Sequence, residues 1–542
     1  MDKSPETSTW RVLNLEMMID DPESALREVA CRSAGIDPGS LRGMRIARKS
    51  LDARRRGGER RLRFVYHVDL VVDGDYASSV FDSAVRSGKV REAPATGSLD
   101  VEALPRRSGL RVVVVGAGPG GMYAATVLSR AGVQVDLVDR GGSLENRGTD
   151  LVAFHRTRTP NPESNLLFGE GGAGTYSDGK LYTRVDHPLE LACLEELVDC
   201  GAPPDIVYDS RAHIGTDRLH RILPKFRSRL AAHGVRFHWN CRMEGLDLDS
   251  GSPARVTAVR TSTGALPCDA VVLAPGHSAR DTWEMLIRDG VELEAKPFQL
   301  GVRIEHPQEL VDRGRYGDAS LAKQLGFSAY NLVFKGGGGC APAHSFCMCP
   351  GGRIVASINE AGELCTNGMS NAAHSSGRAN AAIVTTFGPR EFGQSALDGV
   401  SFQRGLEKAF FAAGGSDYTA PAQTAADFLA RRETPDPGRT TYTFGVCPGR
   451  IDALLPEQAR DAISAALVRF DRTIPGFAGP DGILVGLESR SSGPVRIVRE
   501  PDTRVARGFS NLYPVGEGAG YAGGIMSAAL DGADSAFAVL EA

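Results

Sequence analysis

Residues 111–140, RVVVVGAGPGGMYAATVLSRAGVQVDLVDR, restrict the possible folds of this chain more than any other stretch. Four valines in succession, Val112, Val113, Val114 and Val115, suit a strand buried on both faces, as at the centre of a parallel sheet. The turn GAGPGG follows at once and puts Gly116, Gly118 and Gly121 in the three positions of a dinucleotide fingerprint. The first glycine makes a tight turn, the second admits a pyrophosphate to the backbone, and the third lets helix pack close on strand. Pro119 suits the first helical turn, where its missing N–H has no intrahelical partner to lose, and Gly120 keeps that turn small. A helix to Arg130, closed by Gly132, and a second strand over residues 133–138 lead to Asp139 and Arg140. Asp139 stands eighteen residues beyond Gly121, where a carboxylate accepts hydrogen bonds from a ribose. A lone GxGxxG is weak in a chain with 64 glycines; the ordered strand, turn, helix, strand and acid make it specific.

A length of 542 residues, 42% of them hydrophobic, is enough for two or three cored domains. The formal net charge of -4 offers no bulk attraction for nucleic acid or a membrane surface. No apolar run approaches the roughly 18 residues of a membrane span, and the opening MDKSPETSTW lacks the parts of a signal peptide, so a cytoplasmic location is expected. Ten scattered cysteines then read as mostly free thiols, and no Cys/His spacing resembles a metal site.

In chain order, residues 1–92 read as a small α/β domain: strands over 10–17, 44–49 and 62–72 alternating with helices over 22–34 and 76–86, a ferredoxin-like pattern. Its basic run, Arg54, Arg55 and Arg56 with Arg60, Arg61 and Arg63, is either a solvated hairpin or an anion surface. Residues 93–109, with Pro94, Gly97 and Pro105, form a linker. Residues 110–290 make the first part of the dinucleotide domain. Here a polar segment over 141–150 precedes a glycine-rich loop in which Gly169, Gly171 and Gly174 repeat the GxGxxG spacing beside Gly172. Without a strand before or a helix after, this is no second dinucleotide site but a loop able to lie against a flat ring, with Glu170, Tyr176, Ser177, Asp178 and Lys180 supplying polar groups. A strand over 270–273 opening into Pro275, Gly276 and His277 returns the chain to the cofactor side. Residues 291–477 read as an inserted substrate or cap domain of short strands, many turns and few long helices, with Gly336 to Gly339 as a flexible tip or lid hinge. Residues 478–542 close the first domain: a strand over 511–515, then Gly516, Glu517, Gly523, Gly524 and Ile525 opening the last helix. An acid between a strand and a glycine-rich helix start suits a ribityl hydroxyl, with helix N–H groups facing a pyrophosphate.

Longer motifs carry a resemblance: NPESNLLFGEGGAGTYSDGKLYTR, HIGTDRL, VLAPGHSARDTWEML, EAKPFQLGVRIEHPQEL, SFCMCPGG and LYPVGEGAGYAGGIMSAALDG. Over nearly its whole length the chain resembles a large bacterial family of uncharacterised FAD-dependent dehydrogenases of glutathione-reductase-type flavoprotein fold. The resemblance implies FAD, with Gly116, Gly118, Gly121 and Asp139 at the adenosine and pyrophosphate end and the 516–524 turn with Glu517 at the ribityl and isoalloxazine end. Flavoproteins of this type more often carry Glu where this chain has Asp139. The implied architecture is α/β: a Rossmann-type FAD-binding domain with an inserted α+β cap and a small ferredoxin-like leading domain.

With flavin supplying the redox chemistry, the protein positions the substrate. No second fingerprint is present, so either NAD(P)H approaches the flavin without a domain of its own or the substrate is the electron donor. Lys180, His277 and Arg490 are the candidate catalytic groups: two cations able to hold an anionic substrate or offset charge, and an imidazole that titrates near neutrality. His306, His344, Arg303 and Arg496 are weighed beside them, against ordinary roles in buried hydrogen bonding and surface ion pairs. Cys347 and Cys349, two apart on a strand, share one face and are either a redox thiol pair or two small packed residues.

The function expected is an FAD-dependent oxidoreductase passing hydride through flavin N5 to or from a small organic metabolite, in a biosynthetic setting. A flavin monooxygenase is the enzymatic alternative. The tryptophans Trp10, Trp239 and Trp283 do not form the paired signature of a flavin halogenase, and GEGAGYAGG lacks the histidine and proline usual in aromatic hydroxylases. From another class come a flavin-containing RNA-binding protein of tRNA modification, disfavoured by the acidic charge and by a basic run without aromatics, and a redox sensor without turnover.

Overall fold

The computed structural model describes residues 7–56, 59–101, 107–181, 183 and 185–542. Residues 1–6, Pro105 of the expected linker, Gly57, Gly58, Tyr182 and Arg184 lie outside the described residues, as do the side chains of Arg55, Arg56 and Glu59. The chain divides into two compact units.

The first unit is built on residues up to 98. Its main sheet has the strands Thr7–Met18, Leu41–Asp52, Arg63–Asp73 and Val90–Glu92, with helices Leu26–Ala34 and Ser79–Arg86 between them. The strand order across the sheet is second, third, first, fourth, every neighbour antiparallel. Alternation along Arg63–Asp73 turns Tyr66, Val68, Leu70 and Val72 into a core shared with Val12, Leu26 and Phe81. Ser78 caps its helix by accepting the Phe81 amide at 3.1 Å. In the basic run, Arg54 pairs with Asp52 at 2.8 Å and Arg63 with Glu16. The unit also takes in residues 186–198 and 203–213, which the sequence partition assigns to the dinucleotide domain. There the Lys49 amide donates to the Tyr208 carbonyl at 2.7 Å and the Ser210 amide to the Lys49 carbonyl at 2.9 Å, extending the edge of the small sheet.

The second unit holds a five-stranded parallel sheet in the order Leu512–Pro514, Ala270–Leu273, Arg111–Val115, Gln134–Val138, Arg236–His238. The first and last parts of this unit therefore meet side by side. Helices Pro119–Arg130 and Ile525–Glu541 cross on one face so closely that a Cβ on Gly532 would stand 2.0 Å from the Gly120 carbonyl oxygen.

The same unit also holds a seven-stranded sheet in the order Val333–Phe334, Ala343–Cys349, Arg378–Phe387, Phe298–Pro307, Ile483–Glu488, Ala420–Thr424, Val446–Pro448. Two expectations change here. Two of these strands run ten residues, and helices Asp398–Ala413 and Glu457–Asp471 run 16 and 15, so the region is not one of short elements. Strand Ile483–Glu488, expected in the closing part of the dinucleotide domain, pairs with Phe298–Pro307 in this sheet. A third difference lies at 141–150: the polar segment opens helix Leu144–Thr157, which buries Leu144, Leu151 and Phe154 together with Arg147. The glycines 336–339 all adopt positive φ, with nothing near a would-be Cβ on Gly337, Gly338 or Gly339, as in a solvated tip.

Among the described residues no helix is long and apolar enough to cross a membrane. None of the ten cysteines is joined in a disulfide.

Candidate active site

The second unit contains a cavity of about 750 Å³, in the upper part of the roughly 300–1,000 Å³ range of cofactor and ligand pockets. Gly116, Gly118, Pro119 and Gly120 line it from the fingerprint turn, and Asp139 and Arg140 from the end of the second strand. Gly172, Gly276 and the closing turn, with Gly516, Glu517, Gly523, Gly524 and Ile525, complete that end. Two of the expected cofactor glycines stand behind the wall. A Cβ on Gly121 would lie 1.9 Å from the Gly116 carbonyl oxygen, so Gly121 serves the packing of helix on strand. Gly171, at φ 79°, donates its N–H to the Ala117 carbonyl at 2.8 Å and fastens the second glycine loop to the first.

The residues present suit a dinucleotide. Helix Pro119–Arg130 starts at Gly118 and helix Ile525–Glu541 at Gly524, both on the cavity, and neither has a side-chain cap. Their first N–H groups are thus available to an anion, and both helix dipoles favour one. Gly116 is held at φ 101° with a would-be Cβ 2.1 Å from the Ala274 carbonyl oxygen, a place where only glycine fits.

Asp139 has a role beyond the one expected of it. Its Oδ2 accepts the Ala117 amide at 2.8 Å, and its Oδ1 accepts the amides of Gly141 at 2.8 Å and Gly169 at 2.9 Å. The carboxylate ties the fingerprint turn, the strand end and the second glycine loop together; burial pushes its pKa up while these three amides pull it down. Arg140 makes a paired contact with Asp281 at 2.8 Å, a further bond to Glu163 at 2.8 Å, and lies 4.5 Å over the Phe168 ring. It braces the wall. Glu517 lines the cavity, and burial pushes its carboxyl up to about 8 against the pull of Lys296.

The other end of the cavity is polar and is gathered from distant stretches. Lys180 Nζ meets Asp178 Oδ2 at 2.6 Å, bonds the Met348 carbonyl, and stands 3.9 Å and 4.0 Å from the sulfurs of Cys347 and Cys349. Of the loop residues expected to face a ring, Ser177, Asp178 and Lys180 line the cavity. Glu170 and Tyr176 do not: Glu170 is buried against Arg227 at 2.7 Å and Tyr176 lies under Arg147. Tyr330, Asn331, Asn367 and Glu488 also line this end; Asn367 opens the run NGMS and Glu488 lies in GLESRSSGP, while Tyr330 and Asn331 belong to no run that the sequence marks out. The Tyr330 hydroxyl is buried without a hydrogen-bond partner. Arg303 lies beneath, fully buried, donating to Glu488 at 2.8 Å, the Cys347 carbonyl at 2.9 Å and Asn367 at 2.8 Å.

His277 lines the cavity, its Nδ1 2.8 Å from the Ser278 hydroxyl, and burial with help from Arg490 pulls it down to about 4, so it is a neutral imidazole at neutral pH. His344 also lines the cavity. His306 does not; it is buried in the sheet core against the Phe477 carbonyl at 2.8 Å. Arg490 reaches the wall with its guanidinium already engaged by Glu407, Glu363 and Asn359, whereas Arg496 makes a solvent-exposed pair with Glu294 at 3.2 Å.

Three family models match the chain: an FAD binding domain over residues 109–164, an FAD-dependent protein C-terminal domain-like region over 297–491, and a domain of unknown function over 10–71. An uncharacterized protein of Clostridium beijerinckii is 36% identical over 537 residues, 98% of this chain and 98% of that protein. Among solved structures, an L-amino acid deaminase from Proteus vulgaris is similar with a TM-score of 0.34 at 12% identity, covering 83% of this chain and 96% of that one. An L-proline dehydrogenase from P. horikoshii is similar with a TM-score of 0.33 at 13% identity, covering 80% and 93%.

Proposed function

This chain belongs to the same family as the Clostridium beijerinckii protein, its cofactor is FAD, and from that premise we propose that it is a dehydrogenase or reductase passing a hydride between the flavin and a small organic metabolite. The observation that carries the proposal is the single cavity running from two uncapped helix N-termini to a polar end at Lys180. Bound FAD supplies the two-electron hydride chemistry, and the protein supplies position and charge.

In this reading the N–H groups at Gly118 and Gly524 hold the pyrophosphate. Glu517, uncharged near neutrality, donates its proton in a hydrogen bond to a ribityl hydroxyl. Asp139 keeps the two glycine loops at the spacing that the adenosine half needs, with ribose contact from whatever accepting capacity the three amides leave. At the polar end, Lys180 sets its ammonium group beside the substrate, and the neutral His277 ring offers a hydrogen bond that orients a substrate hydroxyl or amine. Arg490 holds its own part of the wall in place through Glu407.

The test is released-flavin content of the purified protein, followed by anaerobic stopped-flow absorbance in the oxidised-flavin band. NADH, NADPH and a panel of hydroxy acids, amines and amino acids are mixed separately. The proposal expects bound FAD and bleaching by one hydride donor. Bound FAD that no donor in the panel bleaches would remove the oxidoreductase reading and leave a flavoprotein without turnover.

A further inference from the structure

Cys347 and Cys349 form a feature that hydride transfer does not use. Strand Ala343–Cys349 carries a bulge between Phe346 and Cys349, where the register against Arg378–Phe387 shifts, and Cys347 sits at φ 43°. Bulges next to active sites re-aim side chains, and a positive φ is uncommon for a residue with a Cβ. Here both sulfurs lie within 4.0 Å of Lys180 Nζ. Cys347 lines the cavity and is partly exposed; Cys349 is fully buried behind it, its Sγ 3.3 Å from the Cys347 carbonyl.

We propose that Cys347 and Cys349 are a reactive dithiol that reduces small organic disulfides entering the cavity, Cys347 attacking and Cys349 resolving. The Cys347 thiolate attacks one sulfur of the disulfide, forming a mixed disulfide and expelling the first thiolate. Cys349 then gives up its proton and attacks the Cys347 sulfur. The Cys347–Cys349 disulfide forms, and the second thiol leaves with that proton. The dithiol is oxidised by two electrons, and the small disulfide is reduced to two thiols.

The surroundings suit the two roles. Despite burial, the neighbouring Cys349 thiol pulls the Cys347 thiol well below the ordinary range, helped by Lys180 and Arg303; Asp178 opposes them. Burial and the neighbouring Cys347 push Cys349 up, which makes it the protonated donor. Glu488 and Tyr330 are the other titratable groups facing the pair. Burial pushes Cys31, Cys268, Cys365 and Cys447 up, as it does Cys349, so Cys347 is set apart from the thiols that merely pack. The unpartnered Tyr330 hydroxyl on the same wall is a ready donor to an entering ligand.

The experiment treats the purified flavoprotein with bis(2-hydroxyethyl) disulfide and maps cysteine-containing peptides by mass spectrometry. The expected result is a Cys347–Cys349 cross-link in the native chain and, in Cys349→Ser, a mixed disulfide trapped on Cys347. A measurement that needs no variant is the pH dependence of iodoacetamide labelling. Cys347 should change by about twofold or less between pH 6 and pH 8, where an ordinary thiol gains roughly 50- to 100-fold in thiolate. Lys180→Met should restore much of that dependence, with the FAD content serving as the check on folding. Two thiols that stay separately alkylable after the disulfide treatment, with labelling at Cys347 as steep in pH as at an ordinary cysteine, would overturn the proposal. The exchange needs no flavin, so its failure would leave the FAD-dependent reading standing.

Discussion

Arg490 Nη2 donates to Glu407 Oε2 at 2.6 Å, and Arg280 Nη2 closes on the other oxygen of the same carboxylate at 2.9 Å. Glu407 is fully buried, with two guanidinium groups around it and the second acid Glu363 within 3.1 Å of both arginines. The two acids titrate in opposite directions. The arginines hold Glu407 ionised against its burial, whereas burial and the neighbouring Glu407 push Glu363 up. Two buried carboxylates this close do not both ionise readily.

The first prediction separates them. Glu407→Gln removes the ionised carboxylate that both buried guanidinium groups grip and should lower unfolding free energy by about 3–5 kcal/mol. Glu363→Gln replaces an acid already biased to the neutral form and should change stability by about 1 kcal/mol or less. Urea unfolding of both variants at neutral pH checks the contrast. Since Glu407 is held below its unfolded pKa, its contribution is present above that value and is lost as the solution is acidified.

The glycines divide into those that build the fold and those that leave room for the cofactor. A Cβ on Gly121 would meet the Gly116 carbonyl oxygen at 1.9 Å, while one on Gly523 would meet nothing within 4 Å and would project from the cavity wall. Gly121→Ala should therefore yield protein with a thermal midpoint lowered by more than about 10 °C, or none that is folded. Gly523→Ala should keep the midpoint of the flavin-free protein and weaken FAD binding by about tenfold or more, measured by flavin fluorescence titration.

Local periodicity made the fingerprint strand, the helix at Pro119 and the closing turn at Glu517 legible, because each is a continuous stretch whose residues meet one another. The ten-residue strand Phe298–Pro307 was hidden by Arg303, Glu305 and His306, polar residues buried on ion pairs and hydrogen bonds that break the apolar run. Helix Leu144–Thr157 was hidden in the same way by Arg147, a charged residue spaced like a core position. At the polar end of the cavity, Lys180 meets Cys347 across 167 residues of chain, and Tyr330 and Asn331 arrive from a loop. Spacing along the sequence holds no trace of such meetings. What it did hold was the oddity of two cysteines in SFCMC, and only the bulge at Cys347 says which way their sulfurs point.

Asp139 offers a test of what an acid at the end of the second strand does. A carboxylate that served a ribose alone would leave the flavin-free protein unchanged when removed. Here Asp139→Ala orphans the amides of Ala117, Gly141 and Gly169 and should cost the flavin-free protein about 3 kcal/mol or more. Asp139→Asn keeps one acceptor oxygen and should fall between the two. Unfolding free energies of the flavin-free proteins decide it, and equal stability of all three would return Asp139 to ribose binding alone.

Glu517 gives the pH dependence. Burial raises its native pKa to about 8, so between its unfolded value near 4.5 and about 8 the native state keeps a proton that the unfolded chain has released. The native state binds more protons over that window, and stability contributed through this group falls as pH rises across it. Below the window both states are protonated and the group has no effect; above it the full penalty of a buried charge applies. Glu517→Gln imitates the protonated form throughout. In the flavin-free protein its thermal midpoint should match the native one near pH 4.5 and exceed it by a growing margin toward pH 8. Lys296 is the charge that opposes the shift, so Lys296→Met should push the native pKa of Glu517 higher still and carry the fall in stability beyond pH 8. A margin between Glu517→Gln and the native protein that stays flat across the window would mean that the carboxylate is ionised and held by partners in solution, and would remove the neutral hydrogen-bond donor from the ribityl site.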